Sequence, residues 1–363
     1  MEFEKYRLSQ LLTIKNGRDY KSLGQGSVPV FGSGGYMCSV DSYLYDRPSV
    51  LLPRKGTLSN IQYYNKGPFW TVDTCYYTIV NENLVDSYYV YRYLRNLNLS
   101  GLDTGASIPS MTQKTYNGIK ILLPNLSIQH RIASILSTYD SLIENNTKRI
   151  RLLEKMAENL YKEWFVRFRF PGHENVEMEN GLPKGWKRGS LSDVCEFKRG
   201  KNITSSEMQE GNVPVISAGL EPSGYHSCSN VRGVNVTMSS SGANAGYIAI
   251  HYSDIWAADC SYIEESTTGN IYYVYELLNN IRTVINNFQR GAAQPHVYPK
   301  DVNRIKLILP SKELMLKANG RLEIMHKEIY NLQKQNSLLA RQRDLLLPRL
   351  MSGKLEVKEE LLE

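Results

Sequence analysis

Cysteine is scarce in this 363-residue chain. The five present, Cys38, Cys75, Cys195, Cys228 and Cys260, are odd in number and nowhere in CxxC spacing. That argues against a disulfide framework and a cysteine-rich zinc site, and suits a reducing cytoplasm. The six histidines show no metal-ligand spacing. No apolar run approaches the ~18–20 residues of a membrane span. The start, Met1-Glu2-Phe3-Glu4-Lys5, lacks the charged stub and apolar stretch of a signal peptide. There is no P-loop, so no motor, and no Asn-Pro-Pro-aromatic segment for amine methylation. Phe31-Gly32-Ser33-Gly34-Gly35 has the glycines of a nucleotide loop but no helix pattern after it, and reads as a turn. The acidic residues form no nuclease-like cluster. A net charge of +7 excludes a histone-like tail and permits nucleic acid without demonstrating it.

What is present is a chain written twice. Leu8-Ser9-Gln10-Leu11 before Gly17 matches Leu191-Ser192-Asp193-Val194 before Gly200. Gly26–Val30 matches Gly211–Val215, and Trp70–Asp73 matches Trp256–Asp259. Tyr88–Tyr91 matches Tyr272–Tyr275, Gly105–Pro109 matches Gly291–Pro295, and Ile119–Pro124 matches Ile305–Pro310. Six blocks in one order, with offsets between 183 and 186 residues, mark a duplicated domain and not a solenoid.

Each half opens with a globular part, residues 1–126 and 183–310. Both are rich in Gly, Ser, Tyr and β-branched residues in short apolar runs, which predicts a β-rich mixed fold. Tyr88–Leu97 and Tyr272–Ile285 read as one helix per copy. The hydrophobic period then changes. Residues 127–170 and 311–352 step by three and four, which predicts a coiled-coil seam about five heptads long. Its candidate positions include Ile132, Ile135, Tyr139, Leu142 and Asn146, and Leu322, Met325, Ile329, Leu332 and Asn336. The asparagines fix register or mark a break in the helix. Residues 171–182 read as a linker and 353–363 as a tail. Antiparallel pairing of the helices would place the two heads at opposite ends of a dumbbell, about an approximate two-fold axis. Such an object suits reading two separated sites on one polymer.

Several strings, with the duplication, resemble the DNA-specificity subunit of type I restriction–modification enzymes. They are Ile119–Pro124 followed by Gln129-His130-Arg131-Ile132-Ala133, and Leu160–Phe165 leading to Phe170-Pro171-Gly172. Leu182–Trp186 opens the second globular part, and Leu347–Leu355 ends the second helix. The resemblance implies an α+β fold of two target-recognition domains separated by two long antiparallel helices. It implies a non-catalytic, cytoplasmic chain that binds double-stranded DNA, with each domain reading one half of a split, asymmetric target. The implied partners are two modification subunits and, in the full complex, restriction subunits. S-adenosylmethionine, ATP and Mg are expected on those partners, and no cofactor on this chain. The second helix lacks a glutamine matching Gln129, which puts the helix-start contact of that copy in question. Read without the resemblance, the chain also fits a coiled-coil adaptor with two protein-binding heads, or a fused enzyme with an unseen site.

Base readout needs polar side chains on loops that approach closely. The first candidate loop carries Arg54, Lys55, Thr57, Ser59 and Asn60. Its repeat partner carries Ser240, Ser241 and Asn244. The loop before the last strand offers Ser107, Gln113 and Lys114 in one copy and Arg290, Gln294 and His296 in the other. Both loops also fit plain structural turns. Arg18, Lys21, Lys198, Arg199 and Lys201 flank the repeated glycines and suit phosphate contact, or an ordinary solvated face. Trp70 and Trp256 read as core.

Overall fold

A computed structural model describes residues 2–97, 99–102, 109–291 and 295–357 of the chain. The fold is α+β. It divides into two compact units, Met1–Asn145 with Asn336–Glu363, and Asn146–Gln335. Each unit therefore takes a globular head and a stretch of both long helices.

The heads share one topology. In the first, Glu4–Arg7 pairs antiparallel with Lys120–Leu123. A four-stranded sheet runs Leu12–Asn16, Cys75–Val80, Ser49–Pro53, Gln62–Tyr64. A three-stranded sheet runs Gly35–Val40, Gln25–Gly32, Trp70–Thr71, its last pair parallel with Val30 opposite Trp70. In the second head Lys187–Ser190 pairs with Lys306–Leu309. Its four-stranded sheet runs Lys198–Arg199, Cys260–Glu264, Asn235–Ser239, Ile248–His251. Its three-stranded sheet runs Gly224–His226, Val213–Ile216, Trp256–Ala257, again with a parallel last pair and Val215 opposite Trp256.

The repeated residues hold this frame. Gly17 and Gly200 admit a close crossing. A Cβ on Gly17 would lie 2.0 Å from the Val72 carbonyl oxygen, and one on Gly200 would lie 2.4 Å from that of Ala258. The indole N–H of Trp70 donates to the Arg18 carbonyl at 2.8 Å, and that of Trp256 to the Lys201 carbonyl at 2.9 Å. Trp70 is core as expected. Trp256 is not fully so: its ring stays partly exposed, with the His226 ring edge-on to it at 5.0 Å. Cys75 and Cys260, also repeat partners, are buried, and burial pushes both thiols up to about 12. They are packing residues. The glycine-rich run after Phe31 is the hairpin joining Gln25–Gly32 to Gly35–Val40.

Each head has one main helix, Ser87–Arg95 and Ile271–Asn280. The second is shorter than its sequence suggests. Ile281 leaves helical geometry, and a separate turn, Arg282–Asn286, buries Ile285. Residues 171–182 hold a short 3-10 turn and the first strand of a hairpin, Met178–Glu179, which pairs with Leu182–Pro183.

The long helices span Leu126–Tyr161 and Lys312–Met351. A proline stops each preceding strand. Asn125 then accepts from the Ile128 amide at 2.9 Å, and Ser311 from the Leu314 amide at 3.2 Å, which starts each helix. In the first unit Ile132, Ala133 and Leu136 join Leu347, Leu350 and Met351 in one core with the head. In the second, Ala157 and Tyr161 join Met315, Ala318 and Leu322. There Asn146 meets Gln335 and Arg149 meets Glu328, so the two stretches run antiparallel.

Of the ten seam positions named above, two lie off the buried face. Ile135 and Leu142 are exposed, and Leu136 is buried in their place. A straight helix turns every 3.6 residues, so a 3.5-residue template drifts off its face. Ile132, Asn146, Leu322, Ile329 and Leu332 are buried, and Tyr139, Met325 and Asn336 partly so. Ile135 and Leu142 instead join Leu152 and Met156 among the exposed apolar residues of the first helix, and Leu316, Ile324, Leu338 and Leu345 are exposed on the second.

Gln129 anchors its helix start to the head. Its side chain donates to the Pro124 and Leu84 carbonyls at 2.9 and 3.2 Å, and accepts from the Asp86 amide at 3.1 Å. The second helix makes an equivalent contact one turn later. Asn319 accepts from the amides of Tyr272 and Tyr273, both at 3.1 Å.

Candidate nucleic-acid interface

In the first head, the two candidate loops lie side by side. The Gly56 amide donates to the Pro109 carbonyl at 2.9 Å, the Met111 amide to the Arg54 carbonyl at 3.0 Å, and Lys55 bridges Ser110. Asn60 turns inward and donates to the Ser33 carbonyl at 2.7 Å, which fixes the hairpin of the three-stranded sheet against the loop. Arg54 is half-buried. Its guanidinium reaches the Asp73 carbonyl at 3.4 Å and lies over the Tyr76 ring at 5.9 Å. Lys55, Thr57 and Ser59 are exposed. Gln113 donates to the Asn16 side chain at 3.1 Å, which brings the strand end before Gly17 to the same surface. Beyond Gly17, Arg18 is exposed, and Lys21 lines a groove of about 810 Å3 with Tyr20, Ser33, Gly34, Tyr36 and Asp73. Lys114 is exposed and lines a second groove with Leu99, Gly118 and Lys120. Ser107 lies outside the described residues.

The second head repeats the frame and changes the side chains. Gly242 donates to Pro295 at 3.0 Å, as Gly56 does to Pro109. Asn244 donates to the Ala218 carbonyl at 3.4 Å, as Asn60 does to Ser33. Ser240 and Ser241, expected at base edges, are instead buried. The Ser241 hydroxyl donates to Asp259 at 2.6 Å and the Ser240 hydroxyl lies 3.5 Å from that of Ser261. Short hydroxyls next to strand ends are readily consumed by local bonds, and these two shape the loop. Arg199 stands 3.8 Å from Asp259, and Lys198 and Lys201 are exposed beside it. Ser241 and Arg290 each bridge His296, whose ring stacks on Tyr298 at 6.2 Å. The Arg290 guanidinium pairs with Asp301 at 3.0 Å. Gln294 lies outside the described residues.

Each head therefore presents a platform of bonded loops framed by glycine and proline, with basic groups at its margin. The platforms share backbone bonds and differ in nearly every outward side chain. Among the described residues no group of His, Cys, Asp or Glu is arranged to hold a metal ion, and no helix is long and apolar enough to cross a membrane.

The family model of the type I restriction modification DNA specificity domain matches residues 1–155 and again 183–336. The chain is 25% identical over 345 residues to the type I restriction enzyme MjaIX specificity subunit of Methanocaldococcus jannaschii, covering 87% of this chain and 79% of that one. A second relative from that organism, the MjaVIII specificity subunit, is 32% identical over 138 residues, covering 38% of this chain and 32% of that one. A solved type I restriction–modification S subunit from M. genitalium shares the fold with a TM-score of 0.69 at 20% identity, covering 96% of each chain. The chain belongs to the family of type I restriction–modification DNA-specificity subunits.

Proposed function

We propose that each head reads one half of a split, asymmetric target on double-stranded DNA. One observation carries this reading: equivalent loops on equivalent frames carry different chemistry. The bonds Gly56–Pro109 and Gly242–Pro295 hold the same loop pair in each head. The exposed groups are Lys55, Thr57 and Ser59 in one and Arg290 in the other. Arg and Lys suit guanine, and Thr and Ser serve several bases. Arg18, Lys21, Lys198, Arg199 and Lys201 fit the phosphate contacts that position a reader without specifying sequence.

The chain itself is non-catalytic in this reading. Methyl transfer from S-adenosylmethionine belongs to two modification subunits, and ATP- and Mg-dependent work to restriction subunits in the cytoplasmic complex. The exposed Ile135, Leu142, Leu152 and Met156, with Leu316, Ile324, Leu338 and Leu345, supply apolar helix surface on which modification subunits dock. The lengths of the two helices set the spacer between half-sites.

The test is a methylome of cells expressing this chain with its cognate modification subunit. A two-part motif with a fixed gap is expected. Methylation at one undivided motif would overturn the two-head reading. Methylation unchanged on deleting this chain would favour a protein adaptor.

A further inference from the structure

Each head meets the long helices through its main helix, which carries the same aromatic block, Tyr88–Tyr91 or Tyr272–Tyr275. The next residue differs in sign, Arg92 in the first head and Glu276 in the second. The residue it faces on the long helix changes with it, from an acid to an imidazole. Asp140 and His326 are 186 positions apart, the same offset as Ile119 and Ile305.

Arg92 is 2% exposed and ion-paired with Asp140. Its Nε–H donates to the Tyr88 hydroxyl at 2.9 Å, and its guanidinium lies 5.4 and 5.3 Å from the Tyr88 and Tyr91 rings. Asp140 also accepts from the Tyr88 hydroxyl and from Arg343, both at 2.5 Å. In the second head His326 is 2% exposed and Glu276 is 6% exposed, with Nε2 to Oε1 3.2 Å. The His326 ring stacks on Tyr272 at 5.2 Å and meets Tyr275 edge-on at 5.4 Å. Its Nδ1 lies 2.9 Å from the Tyr252 hydroxyl. Glu154 shares a cavity of about 450 Å3 with Glu276 and His326. Burial raises the Glu154 carboxyl and nearby His326 lowers it. One junction thus sets an acid between two guanidinium groups. The other sets an imidazole among two carboxylates. Repeat-equivalent tyrosines line both, Tyr88 and Tyr91 against Arg92 in the first and Tyr272 and Tyr275 against His326 in the second.

Two copies of one domain with matching apolar contacts are prone to exchange between chains. Here a misplaced first head would lose the Asp140 carboxylate and set Arg92 against the His326 ring, with Glu154 and Glu158 as the acids lining that cavity from the first long helix. A misplaced second head would set the Glu276 carboxylate against that of Asp140, with Arg343 left to answer both. Taking a buried charged group from its own partner leaves it poorly compensated, which costs more than the pair itself gains. We propose that these exchanged buried partners key each head to its own stretch of long helix, and so suppress exchange of heads between two copies of this chain.

The test uses the full chain in two differently tagged, co-expressed copies. R92E alone should lower the melting midpoint. R92E/D140H/R343E, which gives the first junction the polarity of the second, should restore most of it. That restored chain should form several-fold more mixed-tag complex than the parent. A parental midpoint for R92E would overturn the proposal. So would a restored triple variant that mixes no more than the parent. If either charge variant is insoluble, R92M/D140L keeps the packing and removes the key. Mixing above the parent then supports the proposal, and mixing at the parental level overturns it.

Discussion

Gly56 and Pro109 are joined by an amide-to-carbonyl bond of 2.9 Å, and through it two loops far apart in sequence form one surface. Arg54 sits at its edge, braced by the Asp73 carbonyl and the Tyr76 ring. If that surface reads bases, Arg54→Ala should cost about 1–3 kcal/mol of affinity for the cognate target. The loss should fall on one half-site. Competition binding with duplexes altered in one half at a time measures this. Equal losses for both halves would point to a global effect on the fold.

The flanking lysines should behave differently. Lys21 and Lys201 are exposed, and a phosphate contact carries no base preference. Lys21→Ala and Lys201→Ala should weaken binding of the assembled complex to any sequence. Each should flatten the slope of log affinity against log salt by about one. An unchanged slope would place these side chains off the DNA.

The two glycines at the strand crossings give a stability prediction that needs no DNA. Gly17→Ala would set a methyl 2.0 Å from a carbonyl oxygen, and Gly200→Ala one 2.4 Å away. Backbone must move in either case, so each should cost at least about 1–3 kcal/mol. Denaturant melts compare the two. Gly34→Ala, where a methyl meets nothing within 4 Å, is the control and should change stability little.

Most of this frame was legible in the sequence because duplication prints each structural necessity twice. Gly17 and Gly200, Trp70 and Trp256, and Pro124 and Pro310 recur because the same crossing, strand pairing and helix start recur. The binding chemistry was harder to read. Ser240 and Ser241 look like base-reading groups until the structure shows their hydroxyls facing Ser261 and Asp259. Ile135 and Leu142 fit a heptad, but a 3.6-residue turn carries them to the outer face. The Arg92–Asp140 and Glu276–His326 junctions leave no trace in the sequence for the opposite reason: the positions share a place in the fold, and their side chains differ.

His251 predicts a pH dependence for the second head. Burial pushes its imidazole down to about 4, from an ordinary value near 6.5. The unfolded chain therefore binds a proton more readily than the folded head. Well above pH 6.5 both states are neutral there and the group adds no pH dependence. As pH falls from 6.5 towards 4, the unfolded state gains protons first and stability is lost, by up to about 3 kcal/mol. His251→Gln, which keeps a polar end near the Thr237 hydroxyl 2.9 Å away, should flatten that part of the profile. An unaltered acid limb would assign the loss to other groups.

The last prediction concerns helix length. If the long helices set the spacer, removing one heptad from each shortens the helical span by about 10 Å, at ~1.5 Å per residue. DNA rises ~3.4 Å per base pair along each strand, so the spacer should shrink by about three base pairs. Those base pairs also turn one half-site by roughly 100° at 10–10.5 base pairs per turn. A complex that cannot follow the turn will lose activity and not gain a new spacer. A four-residue insertion near the start of one helix is gentler and should lengthen the spacer by about one or two base pairs. Methylomes of the three chains give the answer. A heptad-deleted chain that stays active with its original spacer would show that the helices dock partners without measuring DNA.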